Sequence, residues 1–337
     1  MTLNRRDFAK LFAGGALGSL VLPDSLAALG ASPGLRPRSG QDPFFQWQSV
    51  ADGVHVAMGQ GGNVMVVANG GEALISDSKN LGYGYTLRRE AEAVGGAPLK
   101  YAVNTHHHGD HVGGNAAFTS DLPLIGHPNA QTRLRSWAAG VVGQENAGLA
   151  RTIGQMREGG GDPAVIAEVE RLSSELASMS AGRFVPSDAV ADADEVNVGA
   201  RAVQLRYVAA GHTDNDLFLY LPQSNVIHTG DLLFVGRHPF IDAGSGANTS
   251  SWQTCLAAIR DTANASTVVI PGHGDVTNRA GIQAQWDYFE GMRAAVVAAV
   301  AEGKSREEVM QLTPAVFQGI QGNGGRGLGV VYDEVTG

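Results

Sequence analysis

A ten-residue segment, T-H-H-H-G-D-H-V-G-G at positions 105–114, concentrates side chains that bind metal ions. Four of its residues have the chemistry of zinc ligands: His106, His108, Asp110 and His111. Residues two apart in a strand point the same way, so His106 and His108 can contact one ion together. Asp110 and His111 follow Gly109, where the chain can turn toward a second ion. His107 should point away from these ligands, and we expect it to pack.

Three further candidate ligands occur alone, each after a predicted strand and a glycine: His212 in A-G-H-T, Asp231 in H-T-G-D-L and His273 in P-G-H-G. The glycine lets the backbone turn tightly at the end of the strand. A lone histidine is more often a core or surface residue than a ligand. Here all three segments have the same order of apolar strand, glycine and candidate ligand. Together with the first four residues, these ligands complete two coordination spheres. We therefore interpret all seven residues as metal ligands.

The apolar pattern predicts the elements that must position these ligands. Short β-strands are predicted at 54–58, 63–67, 73–76, 100–104, 123–126, 202–208, 216–221, 225–229 and 267–270. Helices are predicted at 84–94, 129–137 and 252–260, followed by a helical C-terminal region. Ser250 with Gln253, and Ser305 with Glu308, have the spacing of capping boxes.

One segment, from 138 to 182, departs from this strand-rich pattern, because it is polar, contains glycines and has helical periodicity. Asp162-Pro163 predicts a helix start. The apolar residues that follow recur at four-three spacing: Val165, Val169, Leu172, Leu176 and Met179. Two interpretations stay open, a helix that packs on the body of the domain and a cover over the metal site, with the cover preferred.

The order H-x-H-x-D-H, followed by a separate His, Asp and His, resembles the signature of the metallo-β-lactamase superfamily over roughly 54–274. The resemblance implies an α/β fold, the four-layer αββα sandwich, in which helices cover two mixed sheets and the metals lie at one edge. It implies two zinc ions per chain, one on His106, His108 and His212, the other on Asp110, His111 and His273, with Asp231 bridging them. Asp77 matches an early strand-end aspartate that supports the metal loop from behind the ligands.

The bridging aspartate makes the chain more similar to the glyoxalase II and lactonase members than to true β-lactamases, which usually carry another residue there. The stretch T-G-D-L-L-F-V-G-R-H-P-F-I-D is also similar to exported hydrolases of this superfamily that are linked to quinoprotein systems. We recognise no glutathione-binding set, which argues against glyoxalase II activity itself.

The N-terminus resembles a twin-arginine export signal, with Arg5 and Arg6 in N-R-R-D-F-A-K, an apolar run at 11–22 and small residues beyond it. The apolar run ends at Pro23 and is too short to span a bilayer, which needs about 20 residues. We therefore expect cleavage, no permanent membrane span, recognition by the twin-arginine export machinery and a periplasmic or secreted location.

The expected organisation has four parts. A signal peptide covers 1–32, a Pro/Gly/Ser-rich linker 33–47, a metallo-β-lactamase domain 48–310 with a helical insertion at about 138–182, and a glycine-rich C-terminal tail 311–337.

Composition narrows the function further. The net charge of −9 gives no electrostatic support for binding nucleic acid, which leaves a small-molecule substrate as the expected partner. Cys255 is the only cysteine, so no intrachain disulfide can form, and we expect it to be a small buried residue on a helix.

These observations predict a binuclear zinc hydrolase in which a metal-bridging hydroxide attacks an ester, lactone, thioester or amide, β-lactams included. Asp110 is the predicted catalytic residue, because it can orient the nucleophile as well as bind metal. Asp214 is a candidate to support His212 through hydrogen bonds, although a role in a turn fits its position equally well. Arg237 and His238 are candidates to contact an anionic substrate, with a solvated loop as the plainer interpretation.

Two alternatives stay open. An iron-dependent sulfur dioxygenase on the same fold would use one metal site of this type. A non-catalytic periplasmic metal- or ligand-binding protein would bind zinc without turnover. The complete second ligand set favours the hydrolase.

Overall fold

A computed structural model describes residues 43–142 and 147–337. The predicted signal peptide, Arg5 and Arg6 included, and most of the predicted linker lie outside the described residues. Among the residues that are described, no helix combines the length and apolar character needed to cross a membrane.

Seven strands form the first sheet, in the spatial order β1 to β7. They are β1 (Gln46–Ala51), β2 (Val54–Met58), β3 (Val64–Asn69), β4 (Glu72–Ser76), β5 (Leu99–Val103), β6 (Leu124–Gly126) and β7 (Asp188–Ala189). Strands β1 to β4 pair antiparallel, and β4 to β7 pair parallel. The sheet is therefore mixed, with its parallel half next to the histidine-rich segment.

Five strands form the second sheet, in the order β12-β11-β10-β9-β8. They are β8 (Ala193–Val198), β9 (Arg201–Arg206), β10 (Phe218–Leu221), β11 (Val226–His228) and β12 (Val268–Ile270). Only the β11–β12 pair is parallel. The sequence pattern did not predict β1, β7 or β8, which carry many exposed polar residues.

The helices are α1 (Gly84–Gly95), α2 (Gly109–Val112), α3 (Pro128–Val141), α4 (Ala147–Glu158), α5 (Pro163–Leu176), α6 (Thr249–Thr262), α7 (Arg279–Ala301), α8 (Arg306–Val309) and α9 (Gly325–Thr336). Helices α1 and α3 to α5 pack on the outer face of the first sheet. Helices α6, α7 and α9 pack on the outer face of the second. This is the expected four-layer αββα sandwich.

Strand β3 shows how the sequence produces these layers. Val64 and Val66 enter the core under the helices, while Met65 and Val67 enter the core between the two sheets. All four are fully buried. Successive side chains of a strand point to opposite faces, so a continuous apolar run is what a strand covered on both sides requires.

Helix α5 begins where the sequence predicts, with Pro163 in its first turn and the Asp162 carboxylate accepting a hydrogen bond from the Ala164 amide. Its predicted apolar face is buried in the first core. Glu168 and Arg171 then tie α5 to α1, through an ion pair with Arg89 and a cation–π contact with Tyr85. The structure thus supports packing as the role of this helix in the insertion.

One predicted cap is confirmed and one is wrong. Ser305 and Glu308 form the predicted capping box of α8. Helix α6 begins earlier than predicted, and its cap is Asn248, whose side chain accepts from the amides of Ser250 and Ser251. Ser250 therefore lies inside the first turn. Cys255 is buried on this helix and is free, as expected.

The segment predicted as a glycine-rich tail differs most from expectation, because it contributes helix α9 to the second core. Leu328 and Val331 are fully buried there. A Cβ at Gly325 would lie 2.4 Å from the Met310 carbonyl oxygen, and one at Gly329 would lie 2.9 Å from the Arg306 guanidinium. These glycines permit close helix packing, so their abundance does not indicate a flexible tail.

Replacing Leu328 with alanine should therefore destabilise the whole protein. Truncating a fully buried leucine costs about 2–5 kcal/mol, because it leaves a cavity as well as losing apolar contact. Urea unfolding followed by circular dichroism measures this loss. The control Val297→Ala, on an exposed position of α7, should change the free energy of unfolding by less than about 0.5 kcal/mol. Equal, small effects of both variants would show that α9 is peripheral.

Candidate metal centre

The seven residues predicted as ligands converge at one edge of the sandwich, although they come from segments up to 167 positions apart. They form two groups whose ligand atoms lie within 4.8 Å of one another. The first group is His106, His108, His212 and Asp231, and the second is Asp110, His111 and His273.

The Asp231 carboxylate lies between the two groups. Its Oδ2 atom is 3.4 Å from His212 Nε2 and 3.4 Å from His273 Nε2, and its Oδ1 atom is 3.1 Å from His111 Nε2. One side chain therefore reaches imidazoles of both groups, as a residue that bridges two cations must.

Close packing explains the glycines that precede Asp231 and His273. A Cβ at Gly272 would lie 2.0 Å from Asp231 Oδ1, and one at Gly230 would lie 2.6 Å from the Thr105 side chain. Gly230 also has a positive φ of 50°. Position 272 therefore requires glycine because any side chain there would overlap the Asp231 carboxylate, and not because of a tight turn.

Asp77 supports the histidine segment in the way the sequence resemblance implied. Its carboxylate accepts hydrogen bonds from the amide and hydroxyl of Thr105, each 2.8 Å long, and lies 2.8 Å from His111 Nδ1. When His111 Nδ1 donates its proton to Asp77, the lone pair of Nε2 faces the second group.

Two further acceptors fix the imidazoles of the first group. His212 Nδ1 lies 2.6 Å from the carbonyl oxygen of Phe240, and His108 Nε2 lies 2.9 Å from Asp242 Oδ2. When the protons are on His212 Nδ1 and His108 Nε2, the other nitrogen of each ring carries only a lone pair. These two nitrogens, His212 Nε2 and His108 Nδ1, lie 2.8 Å apart. Burial lowers the pKa of His212 to about 3, so the His212 ring is neutral at neutral pH.

A cation fits this donor set. Among the described residues, the buried His106 Nε2 atom has no hydrogen-bond partner, and it points into the same group. Three neutral imidazoles and a carboxylate are ligands that zinc accepts in tetrahedral sites. The residues present therefore match a bound metal ion better than they match an empty polar core.

The second group has a different electrostatic balance. Burial alone would lower the pKa of His273, but the carboxylates of Asp231 and Asp110 outweigh it and raise that pKa to about 9. Asp110 Oδ2 lies 3.2 Å from His273 Nε2. Two carboxylates next to two imidazoles again form a set that binds a divalent cation, once the imidazole protons have left.

A buried lysine holds the backbone beneath the second group, and sequence reasoning missed it. Lys79 Nζ donates to the carbonyl oxygens of Ala57, at 2.8 Å, and Gly62, at 2.6 Å. The Gly62 amide in turn donates to the Asp110 carbonyl oxygen, and a Cβ at Gly62 would lie 2.1 Å from the His111 ring. A single lysine among polar residues carries no sequence signal for such a role.

Asp242 is the second residue that was missed, and the only signal was its place at the end of T-G-D-L-L-F-V-G-R-H-P-F-I-D. The candidate Asp214 does not contact a predicted ligand; it forms an ion pair with Arg133 at 2.6 Å. Asp216 instead accepts from the amide and hydroxyl of Thr213, both at 2.7 Å, and so supports the residue next to His212.

The remaining candidates lie around the centre. His107 is hydrogen-bonded between Asn215 and Ser245 and does not join the two ligand groups. His238 Nδ1 lies 2.9 Å from the Tyr288 hydroxyl and its ring packs on Phe317. Arg237 is exposed.

The sequence matches the family model described as "Metallo-beta-lactamase superfamily" over residues 58–273, more than half of the chain. The Metallo-beta-lactamase type 2 of Bacteroides fragilis is 27% identical over 94 residues, which are 28% of this chain and only 38% of that enzyme's length. The metallo-beta-lactamase from Pontibacter korlensis superposes with a TM-score of 0.53 at 14% identity, covering 73% of this chain and 99% of that one. The DIM-1 metallo-beta-lactamase gives a TM-score of 0.53 at 16% identity, covering 74% and 98%. The structural likenesses show the fold.

The contact between Asp242 and His108 predicts a loss of metal affinity when it is removed. Asp242→Ala should weaken zinc binding at the first group about 10- to 100-fold, because His108 loses the acceptor that fixes its tautomer and ring orientation. Asp242→Asn, which keeps an oxygen acceptor, should lose less. Competition with a chromogenic chelator measures these affinities.

Asp214→Asn is the matched control, since Asp214 pairs with Arg133 and not with a ligand. Its zinc affinity should equal that of the unaltered protein. If Asp214→Asn weakened zinc binding as much as Asp242→Ala, the sequence-based assignment of Asp214 would be the better one.

Proposed function

Because the chain belongs to the metallo-β-lactamase superfamily, we propose that it is a hydrolase that binds two zinc ions and cleaves an ester, lactone, thioester or amide. The observation that carries this proposal is the position of the Asp231 carboxylate, which lies within 3.4 Å of imidazoles in both ligand groups. His106, His108 and His212 would hold one ion, and Asp110, His111 and His273 the other.

A bound pair of cations would lower the pKa of a water molecule that they share and so would supply a nucleophile at neutral pH. The chain's own residues then determine where that nucleophile points. The Asp110 side chain is 32% exposed, whereas those of His111 and Asp231 are at most 4% exposed. Asp110 therefore faces the open side of the site, where its carboxylate can orient the attacking water and accept its proton.

The surrounding residues keep the ligands rigid during this reaction. Asp77, Asp242 and the Phe240 carbonyl oxygen each hold the distal nitrogen of one imidazole. Such support fixes the reacting geometry before the substrate arrives, so little reorganisation is needed. The chain needs no serine or cysteine nucleophile, and Cys255 is buried away from the ligands in the second core.

The complete second ligand group favours this hydrolase over an iron-dependent dioxygenase. Asp110, His111 and His273 lie close enough to share a cation, and a one-metal oxygenase does not need all three. The same residues argue against a protein that only binds metal, because Asp110 lies at the open side of the site.

Metal content together with a hydrolysis screen tests the proposal. The purified chain should contain about two zinc ions and hydrolyse at least one member of an ester, lactone, thioester and β-lactam panel. Asp110→Ala should lose at least about a hundredfold in kcat while its circular dichroism spectrum stays unchanged.

The control for this variant is Asp121→Ala, which removes a carboxylate that pairs with Arg88 on the first sheet's outer layer. It should keep full activity. One iron per chain with oxygen uptake would identify a dioxygenase instead, and tight zinc binding without any turnover would identify a binding protein.

We also propose that the chain is exported by the twin-arginine machinery to the periplasm or beyond. Arg5 and Arg6 followed by a short apolar run support this proposal. Replacing both arginines with lysine should leave the full-length chain in the cytoplasm, as cell fractionation and immunoblotting would show. Unchanged export of the double-lysine variant would contradict it.

A further inference from the structure

The loop between β2 and β3 lies directly against the second ligand group. The Gly62 amide donates to the Asp110 carbonyl oxygen at 3.1 Å, and a Cβ at Gly62 would lie 2.1 Å from His111 Cε1. The next residue, Asn63, is buried and donates its backbone amide to the Gly272 carbonyl oxygen at 2.7 Å. Two consecutive residues of this loop therefore contact the segments that carry all three ligands of the second group.

The side chain of Asn63 holds the turn that carries His273. Its Nδ2 atom donates to the carbonyl oxygen of Pro271, at 2.9 Å, and to that of Gly274, at 2.8 Å. These two carbonyl groups lie on either side of His273 in the chain. An amide side chain has two N–H donors, and here an acceptor is present for each of them. The backbone on both sides of the ligand is therefore fixed by one buried residue.

His273 depends on this support more than the other histidine ligands do. The imidazole nitrogen that faces away from the ligand groups is hydrogen-bonded in four of them: His106, His108, His111 and His212. Within the part of the chain that the structure describes, His273 Nδ1 forms no hydrogen bond. Its ring stacks on that of Phe234, with 5.3 Å between the centroids. The position of this imidazole is therefore set by the backbone of its turn, which Asn63 holds.

The loop that carries Asn63 is itself attached to the first sheet. Lys79, which follows β4, is fully buried and donates to the carbonyl oxygens of Ala57 and Gly62. The Asn80 amide donates to the Gln60 carbonyl oxygen at 3.1 Å. A buried ammonium group is costly unless its donors are satisfied, so these acceptors are held firmly in place. Asn63 therefore extends from a rigid loop.

The other side of the His273 turn is attached to the second sheet. The Gly272 amide donates to the Gly230 carbonyl oxygen at 2.7 Å, and the Val235 amide donates to the His273 carbonyl oxygen at 2.9 Å. His273 thus follows β12 of the second sheet, whereas Asp110 and His111 follow β5 of the first. The hydrogen bonds of Asn63 join the two sheets at the point where the three ligands meet.

We propose that Asn63 is a positioning residue for the second metal ion, and that it sets the affinity for this ion by fixing His273 relative to Asp110 and His111. This inference rests on the proposed two-metal hydrolase and names the residue on which occupancy of the second group depends. The hydrogen bonds of Asn63 are made with the turn of His273 and not with the histidines of the first group. The two ions should therefore respond differently to its replacement.

Stepwise zinc affinities test this assignment. Asn63→Ala should weaken binding of the second zinc ion about 10- to 100-fold, because residues that orient metal ligands have effects of this size, and the first ion should keep its affinity. Asn63→Asp has nearly the same shape but donates at most one hydrogen bond, so it should show a similar loss. Competition with a chromogenic chelator gives both affinities. Anomalous diffraction at the zinc edge, from crystals with one ion per chain, should place the remaining ion at the first group.

Two variants serve as controls. Asn278→Ala removes the side chain that caps α7 by accepting from the Ala280 amide, so it should lower the melting temperature and leave both zinc affinities unchanged. Asp242→Ala should show the opposite pattern to Asn63→Ala, because Asp242 supports His108 of the first group. If Asn63→Ala weakened both ions equally, or neither, the assignment to Asn63 would be wrong.

Hydrogen exchange of the metal-free protein separates this inference from the proposed function. In Asn63→Ala, peptides covering 268–277 should exchange about tenfold faster than in the unaltered protein, because the turn loses two hydrogen bonds. Peptides covering 211–216, beside His212, should exchange as before. Unchanged exchange at 268–277 would show that the second sheet alone holds the turn, and would overturn the role of Asn63. If the unaltered protein bound fewer than two zinc ions, the two-metal proposal would fail, and the effect of Asn63 on a second ion with it.

Discussion

The burial of several imidazole nitrogens around one small space is the constraint on which the rest of this structure depends. His108 Nδ1 and His212 Nε2 lie 2.8 Å apart while their other nitrogens are held by acceptors, and His106 Nε2 points at the same space without a partner among the described residues. Burying such groups costs free energy unless a cation compensates them. The donor atoms of the centre therefore form a ligand set that a bound cation would compensate.

Residues around the centre hold the ligands in this arrangement. Asp77 extends from the end of β4, Asp242 and Phe240 come from the loop after Asp231, and Lys79 fastens the backbone under Asp110. Asp77, Asp242 and the Phe240 carbonyl oxygen determine which imidazole nitrogen faces the ligand groups, and Lys79 fixes the backbone. Support of this kind explains why two packed sheets, rather than one, are needed: ligands and their supports come from the ends of strands in both.

The C-terminal helix supports the centre from further away. Helix α9 is fixed by buried leucine and valine side chains, and its first turn reaches the same loop that carries Phe240 and Asp242. The second core and the position of the loop that carries Phe240 and Asp242 therefore depend on the same helix.

The sequence by itself indicated the seven candidate ligands through local patterns, and its resemblance to the superfamily implied the fold. Apolar runs predicted most of the strands, and His106, Asp231 and His273 each follow the end of a strand by three residues, so the strand pattern alone places them at the sheet edge. The sequence signals for helix α5 were also local, since Asp162, Pro163 and the apolar residues at four-three spacing lie within one segment. Apart from Asp77, only the tertiary structure decided which residues support the ligands. Asp242 contacts His108, which lies 134 positions away in the sequence. Lys79 contacts backbone carbonyl oxygens, which every residue type offers, so the sequence does not reveal its partners. The glycines of α9 are explained only by their contacts with Met310 and Arg306 in the folded chain. Such contacts arise from the meeting of distant segments, and no periodicity or spacing within either segment records them.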